Sequence, residues 1–336
     1  MITRRELLAA PALLGLAAEI DRHDALGWAG LIAKKQITPE ELLRAVRARV
    51  EALNPKLNAF CQLFFDKAEA QIKQGLPTGP FRGVPFPMKD IGHQLAGTAT
   101  TAASRIYKDN VPDFDSTLVE RYKRAGLVIF GKTTTPEMGV APTTESAMYG
   151  ATRNPWNLER TPGGSSGGAA AAVATRIVPM AHATDGGGSI RIPASCCGVF
   201  GIKPTRGRVP FGPTALEGWN GLSIGHCVTV SVRDSAALLD AASGPELGSP
   251  YWAPPPARPF LKECGADPGK LRIALALSTP LGTPLDPECR AAATAAGKLC
   301  ESLGHTVEEA RPALDYPAVA AAFLAVQRVS FARGIE

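Results

Sequence analysis

The sequence predicts an α/β fold, and three stretches carry that expectation: a capped amphipathic helix from Thr38, a helix followed by a buried strand over residues 115–130, and a strand–helix–strand alternation over residues 271–309. Elements that alternate in this way bury a sheet beneath helices.

The first of these opens with Thr38-Pro39-Glu40-Glu41, which supplies an N-cap threonine, a proline at the first helical position and a glutamate closing a capping box. Leu42, Leu43, Val46 and Val50 recur at helical spacing, so the helix is expected to run to about Leu53, with Pro55 as its stop. In Gly83-Val84-Pro85-Phe86-Pro87-Met88-Lys89-Asp90, apolar residues alternate into a lysine, which places Lys89 at a strand end facing the interior. Residues 115–125 read as a second helix ended by Gly126, and the apolar run Leu127-Val128-Ile129-Phe130 suits a buried parallel strand. Later, residues 271–277 read as a strand, 287–303 as a helix after Asp286, and 305–309 as the next strand. Between them residues 245–269, with Pro254-Pro255-Pro256, read as an extended connector.

Composition excludes several function classes. Hydrophobic residues make up 45% and charged residues 20% of the 336, which is the range of folded globular proteins and not of disordered chains. The net charge of +5 is spread without a run of like charges, so no nucleic-acid footprint exists. Seven cysteines, an odd number with no CxxC pair, support neither a disulfide framework nor a zinc site. Arg4-Arg5 leading into an apolar stretch over residues 7–18 fits a twin-arginine-type signal peptide over residues 1–18, hence an exported or periplasmic protein; the alternative is the first helix of a cytoplasmic enzyme. The stretch is too short for stable membrane insertion.

The chemistry concentrates in two glycine-serine clusters, Gly163-Gly164-Ser165-Ser166-Gly167-Gly168 and Asp185-Gly186-Gly187-Gly188-Ser189, which bracket an alanine-rich helix. Glycine costs conformational order, so two such clusters need a reason. The second can turn the N–H groups of Gly186, Gly187, Gly188 and Ser189 inward, as an oxyanion hole requires, and a serine inside a nest of donors is a candidate nucleophile. The bland alternatives are a flexible loop and a helix-capping serine. Lys89 is the candidate base, since burial disfavours its charged form; the competing reading is a surface lysine paired to Asp90.

These residues carry a resemblance. The two clusters, the following Ile190-Arg191-Ile192-Pro193 and the segment Val84 to Asp90 resemble the amidase signature, with Gly131-Lys132-Thr133, Pro136-Glu137 and Gly201-Ile202-Lys203-Pro204-Thr205 also similar. The resemblance spans residue 24 to the carboxyl end and implies a central mixed sheet with helices on both faces. It implies a catalytic Lys89, a bridging Ser165 usually held by a cis peptide bond, and an acyl-forming Ser189. Ser166, Thr184, Asp185 and Arg191 match positions that support the loop. The implied partner is a small-molecule amide, linear or cyclic, with no cofactor and no metal. A homodimer is left open. The stretch Gly218-Trp219-Asn220-Gly221-Leu222-Ser223-Ile224-Gly225-His226-Cys227 is similar to the subgroup that includes 6-aminohexanoate cyclic dimer hydrolases.

Two departures bear on these expectations. Members of the family are usually longer, so residues 19–336 are expected to form an amidase domain that is incomplete at its carboxyl end. Gly186 stands where a larger residue is common, which is expected to loosen the oxyanion loop. Competing functions are an inert amidase fragment, a glutamyl-tRNA amidotransferase A-subunit role, and an α/β-hydrolase elbow at Gly163-x-Ser165-x-Gly167. The last needs a strand before it, where Asn154-Pro155-Trp156-Asn157 stands instead.

Overall fold

The computed structural model describes residues 20–335; the expected leader at residues 1–18 lies outside them. The chain forms two compact units that divide between Cys264 and Gly265, inside the proline-rich passage. Among the described residues no helix is long and apolar enough to cross a membrane.

In the first unit, α1 (Ala25–Ala33) starts at Asp24, whose carboxylate accepts the Gly27 N–H at 3.0 Å. The capping box forms at Thr38 and Glu41, and α2 spans Pro39–Leu57. It runs through Pro55 rather than stopping near Leu53, ending at Asn58 in the left-handed conformation (φ 51°). The extra turn buries Leu57 completely. Full burial of one such side chain is worth about 1.5–3 kcal/mol, comparable with the cost of an interior proline.

A three-stranded sheet follows from β1 (Phe60–Leu63), β2 (Pro85–Lys89) and β3 (Val128–Thr133), in the order β1-β3-β2. β3 pairs antiparallel with β1 and parallel with β2. Helix α3 (Phe65–Gln74) packs on β3, and α4 (Thr117–Arg124) precedes β3 across the Gly126 turn. This helix is shorter at its start than the sequence suggests, because Ser116 is its N-cap and Asp115 instead accepts from Ala96 N–H and pairs with Lys123. All residues of β2 and β3 are buried, as the unbroken apolar run requires.

A small hairpin of β4 (Glu145–Ser146) and β5 (Gly150–Ala151) leads to the first glycine-serine cluster. Beyond it α5 (Gly167–Ala174) runs to β6 (Met180–Asp185), α6 (Arg191–Cys197), β7 (Phe200–Gly201) and β8 (Ile224–Thr229). β8 pairs antiparallel with both β6 and β7. β2 lies against β6, and the Lys89 N–H donates to His182 Nδ1 at 3.2 Å, so the two sheets meet along the strands that end at Lys89 and Asp185. Helix α5 is apolar almost all round and buried over Gly167 to Val173, where alanines let it lie close to β6. Helix α7 (Val232–Ala242), capped by Ser231, and the short α8 (Phe260–Glu263) complete the unit; α8 is a helical turn within the expected extended connector.

The second unit is a strand–helix–strand motif with a final helix: β9 (Arg272–Leu275), α9 (Pro287–Ser302), β10 (Thr306–Glu309) and α10 (Tyr316–Ile335). β9 and β10 pair in parallel, with Arg272 opposite Thr306. Asp286 caps α9 through the Glu288 N–H at 2.8 Å.

Candidate active site

Lys89 ends β2 and is wholly buried. Its Nζ donates to Ser165 Oγ at 2.7 Å and to Thr184 Oγ1 at 2.9 Å. Burial pushes its pKa from 10.5 down to about 7, with the Asp185 charge pulling the other way. The surface-lysine alternative is excluded, since Asp90 turns instead to the Thr101 hydroxyl and to Lys132 at 4.0 Å.

Ser165 is 2% exposed and follows a cis Gly164–Ser165 peptide bond. Ser166 occupies the N-cap position of α5 but makes no cap bond; its hydroxyl donates to the Thr184 carbonyl at 3.3 Å and accepts the Thr184 N–H at 3.4 Å. The first cluster is therefore tied to the end of β6, and neither a flexible loop nor a simple cap describes it. No strand runs directly into Ser165, which removes the α/β-hydrolase elbow.

The second cluster leaves β6 at Asp185, a buried carboxylate. It accepts the N–H groups of Gly188 at 2.8 Å and Ile190 at 3.2 Å, and the Arg191 guanidinium from Nε at 2.9 Å. Burial alone would raise its pKa, but these bonds and the Arg191 charge hold it below the usual value. Gly188 has φ 124°, a conformation that demands glycine, and a Cβ there would also press on the Ile192 side chain. Because the Gly188 N–H is spent on Asp185, the N–H groups of this loop without a partner among the described residues are those of Gly186, Gly187 and Ser189. The oxyanion-hole set is accordingly narrower than the four donors read from the sequence.

Ser189 is half-buried, and its carbonyl accepts the Ser166 N–H at 3.2 Å. Among the described residues its hydroxyl makes no hydrogen bond. The two serine loops are thus joined through their backbones.

Sequence reasoning missed three neighbours of this site. His182 accepts the Lys89 N–H and shares a buried cluster with His93, the rings 5.1 Å apart, although the histidines are scattered along the chain. A Cβ on Gly139 would stand 3.4 Å from Ser165 Oγ, so the turn Glu137–Gly139 abuts Ser165. Trp219 packs on Gly186, where a Cβ would come within 2.7 Å of its indole. The alternation His182-Ala183-Thr184 in a buried strand was a sequence signal for His182, and Trp219 lies in the stretch 218–227 that carries the subgroup resemblance, but neither pattern points to the site.

Comparison with known proteins bears on the family and the fold. A family model described as Amidase matches residues 41–333. The chain is 43% identical over 320 residues to a 6-aminohexanoate-cyclic-dimer hydrolase of Pseudomonas sp. (strain NK87), covering 94% of this chain and 64% of that protein. It is 44% identical over 295 residues to a 6-aminohexanoate-cyclic-dimer hydrolase of Paenarthrobacter ureafaciens, covering 86% and 59%. A solved structure of 6-aminohexanoate cyclic dimer hydrolase superposes with a TM-score of 0.83 at 44% identity, over 86% of this chain and 61% of that one. The chain thus spans about three-fifths of the length of the relatives it matches. With a matching family model, relatives above 40% identity and a shared fold, the chain belongs to the amidase signature family.

Proposed function

We propose that the chain is an amidase that hydrolyses a carboxylic amide to an acid and an amine through an acyl-enzyme on Ser189. The observation that carries this reading is the buried Lys89 ammonium 2.7 Å from Ser165 Oγ, with a pKa of about 7. A lysine tuned to neutrality and aimed at a hydroxyl is suited to general-base work.

Neutral Lys89 takes the Ser165 proton, and Ser165 takes the proton of Ser189 as its Oγ bonds to the amide carbon. The two serine hydroxyls must close on each other for this step, and catalytic hydrogen bonds commonly tighten only when substrate is bound. Negative charge on the former carbonyl oxygen falls to the N–H groups of Gly186, Gly187 and Ser189. Asp185 and Arg191 hold that loop. The proton on Lys89 returns through Ser165 to the leaving nitrogen as the C–N bond breaks. Water then attacks the ester, releases the acid and restores the Ser189 hydroxyl. No step calls on a metal or an organic cofactor.

The relatives named for the cyclic dimer of 6-aminohexanoate make a cyclic oligoamide the first substrate to assay, beside a simple linear amide. Ser189→Ala is expected to abolish hydrolysis while leaving the melting temperature within about 2 °C, because it removes one hydroxyl from a half-buried site. Mass spectrometry should find the acyl group on Ser189 in the wild type. An acyl adduct on another residue would sink the assignment, and a folded wild type inactive on every amide would leave a non-hydrolytic member of the family.

A further inference from the structure

Gly186 poses a question that the mechanism leaves open. Its φ lies outside the left-handed range, so no left-handed strain reserves the position for glycine. Glycine is nevertheless required, because a Cβ would meet Trp219 Cε3 at 2.7 Å and Cζ3 at 3.0 Å. The obstacle is a ring, not the mobile end of a flexible side chain.

Trp219 is itself held. It lies at the tip of a turn between β7 and β8 that is closed by a bridge between Gly218 and Ser223, with Ser223 N–H donating to Gly218 O at 2.9 Å. Leu222 N–H donates to Trp219 O at 3.1 Å. Trp219 and Asn220 both adopt left-handed φ values, 50° and 53°, a conformation uncommon outside glycine. Phe211 packs beneath the turn, where a Cβ on Gly218 would stand 2.7 Å from its ring, and its own ring centroid lies 5.1 Å from that of His93. A chain of contacts therefore runs from the buried histidine through Phe211 to the indole on Gly186. The volume that a side chain at 186 would take is filled by Trp219 from outside, which bears directly on the expectation that glycine at 186 loosens the loop.

We infer that Trp219 is a positioning residue, which holds the Gly186–Gly187 segment by filling the volume that a side chain at 186 would otherwise take. The inference rests on the reading of residues 186–189 as the oxyanion loop. Trp219 and Gly186 act as one size-matched pair, and the bulk of one fixes the other. Since the N–H groups of Gly186 and Gly187 have no hydrogen-bond partner among the described residues, their direction depends on this packing.

Amide hydrogen exchange of the full chain, wild type against Trp219→Ala and Trp219→Phe, tests the holding role without needing turnover. In Trp219→Ala, exchange of the peptide carrying residues 186–189 should accelerate about tenfold or more, with β6 and β8 unchanged. Trp219→Phe should stay within about threefold of wild type, since a smaller ring still fills most of the space. On a p-nitroanilide amide, kcat of Trp219→Ala should fall about tenfold with KM little changed, less than the loss of a whole oxyanion donor. Adding Gly186→Val to Trp219→Ala should recover part of that loss, whereas Gly186→Val alone should be poorly active. Unchanged exchange at 186–189 in Trp219→Ala overturns the inference. So does acceleration spread equally through β6 and β8, which would mark general packing. If wild type neither turns over the anilide nor is labelled at Ser189 by a fluorophosphonate, the oxyanion reading fails, while the exchange result still decides whether Trp219 holds the turn.

Discussion

Lys89 and Lys132 sit on neighbouring strands, both fully buried, and they differ in what surrounds the ammonium. Lys132 donates to the Ala99 carbonyl at 2.5 Å and to Thr100 Oγ1 at 2.7 Å, with the Asp90 carboxylate at 4.0 Å. Lys89 has two hydroxyls and, among the described residues, no carboxylate within bonding distance. Burial lowers both pKa values, to about 8 at Lys132, where Asp90 opposes it, and to about 7 at Lys89, where the more distant Asp185 opposes it. A buried charge is retained for structure when an opposite charge meets it, and is available for chemistry when only neutral groups do. The ending of each environment tells the same story: Asp90 leads to Thr101 and Gln62, whereas Ser165 is followed by Ser166, whose N–H donates to the Ser189 carbonyl.

The largest test of this contrast is the rate. Lys89→Arg keeps a positive charge but cannot be deprotonated, so amide hydrolysis should fall about 10²–10⁴-fold, the usual worth of a general base. Steady-state kinetics on folded protein measure it, and near-wild-type turnover would break the distinction. Next comes stability, where the two lysines should respond with opposite signs. Lys132→Met leaves Asp90 buried without its cation and should cost about 3–5 kcal/mol. Lys89→Met removes a charge that no carboxylate meets, and should leave the fold unharmed or raise its stability by about 1–4 kcal/mol near pH 6, while activity is lost. Because the folded Lys89 pKa lies below that of the unfolded chain, folding releases a proton between about pH 7 and 10.5. Wild-type stability therefore rises with pH across that window, and Lys89→Met should flatten the rise. Denaturant melts at pH 6 and pH 9 separate these outcomes; a loss in Lys89→Met as large as in Lys132→Met would erase the difference.

Much of the architecture was legible in the sequence because local rules decide it. The capping box at Thr38, the Gly126 stop before β3 and the Asp286 cap are set within a few residues of chain. The motif residues were legible for a different reason: Lys89, Ser165 and Ser189 stand in strings that resemble the amidase signature. What local pattern could not reveal was pairing across distance. His182 meets Lys89 only because β2 lies against β6, and Trp219 meets Gly186 only because a turn between β7 and β8 folds over the loop. The fate of the Gly188 N–H was equally hidden, since Asp185 can accept it only once the loop has closed around the carboxylate. Helix α2 passed Pro55 because Leu57 had a core to enter, a tertiary gain that no propensity contains.

The smallest expected effect refines the contrast most finely. Thr184 Oγ1 accepts from Lys89 Nζ at 2.9 Å, and an acceptor stabilises an ammonium more than a neutral amine. Thr184→Val keeps the side-chain shape and removes that acceptor. A net hydrogen bond of about 0.5–1.5 kcal/mol corresponds to roughly 0.4–1.1 pKa units, so the Lys89 pKa should fall by about that amount. If neutral Lys89 is the working base, wild-type activity should rise through about pH 7 and then level off. In Thr184→Val the same limb should move to lower pH, so that the variant gains relative activity below neutrality. The plateau rate should change little, because Ser165 remains in place to relay the proton. A pH–rate profile of the two proteins on one amide substrate measures the displacement. A limb moving to higher pH would mean that the hydroxyl favours the neutral amine, and the neutral surroundings of Lys89 would then lower its pKa by more than burial alone.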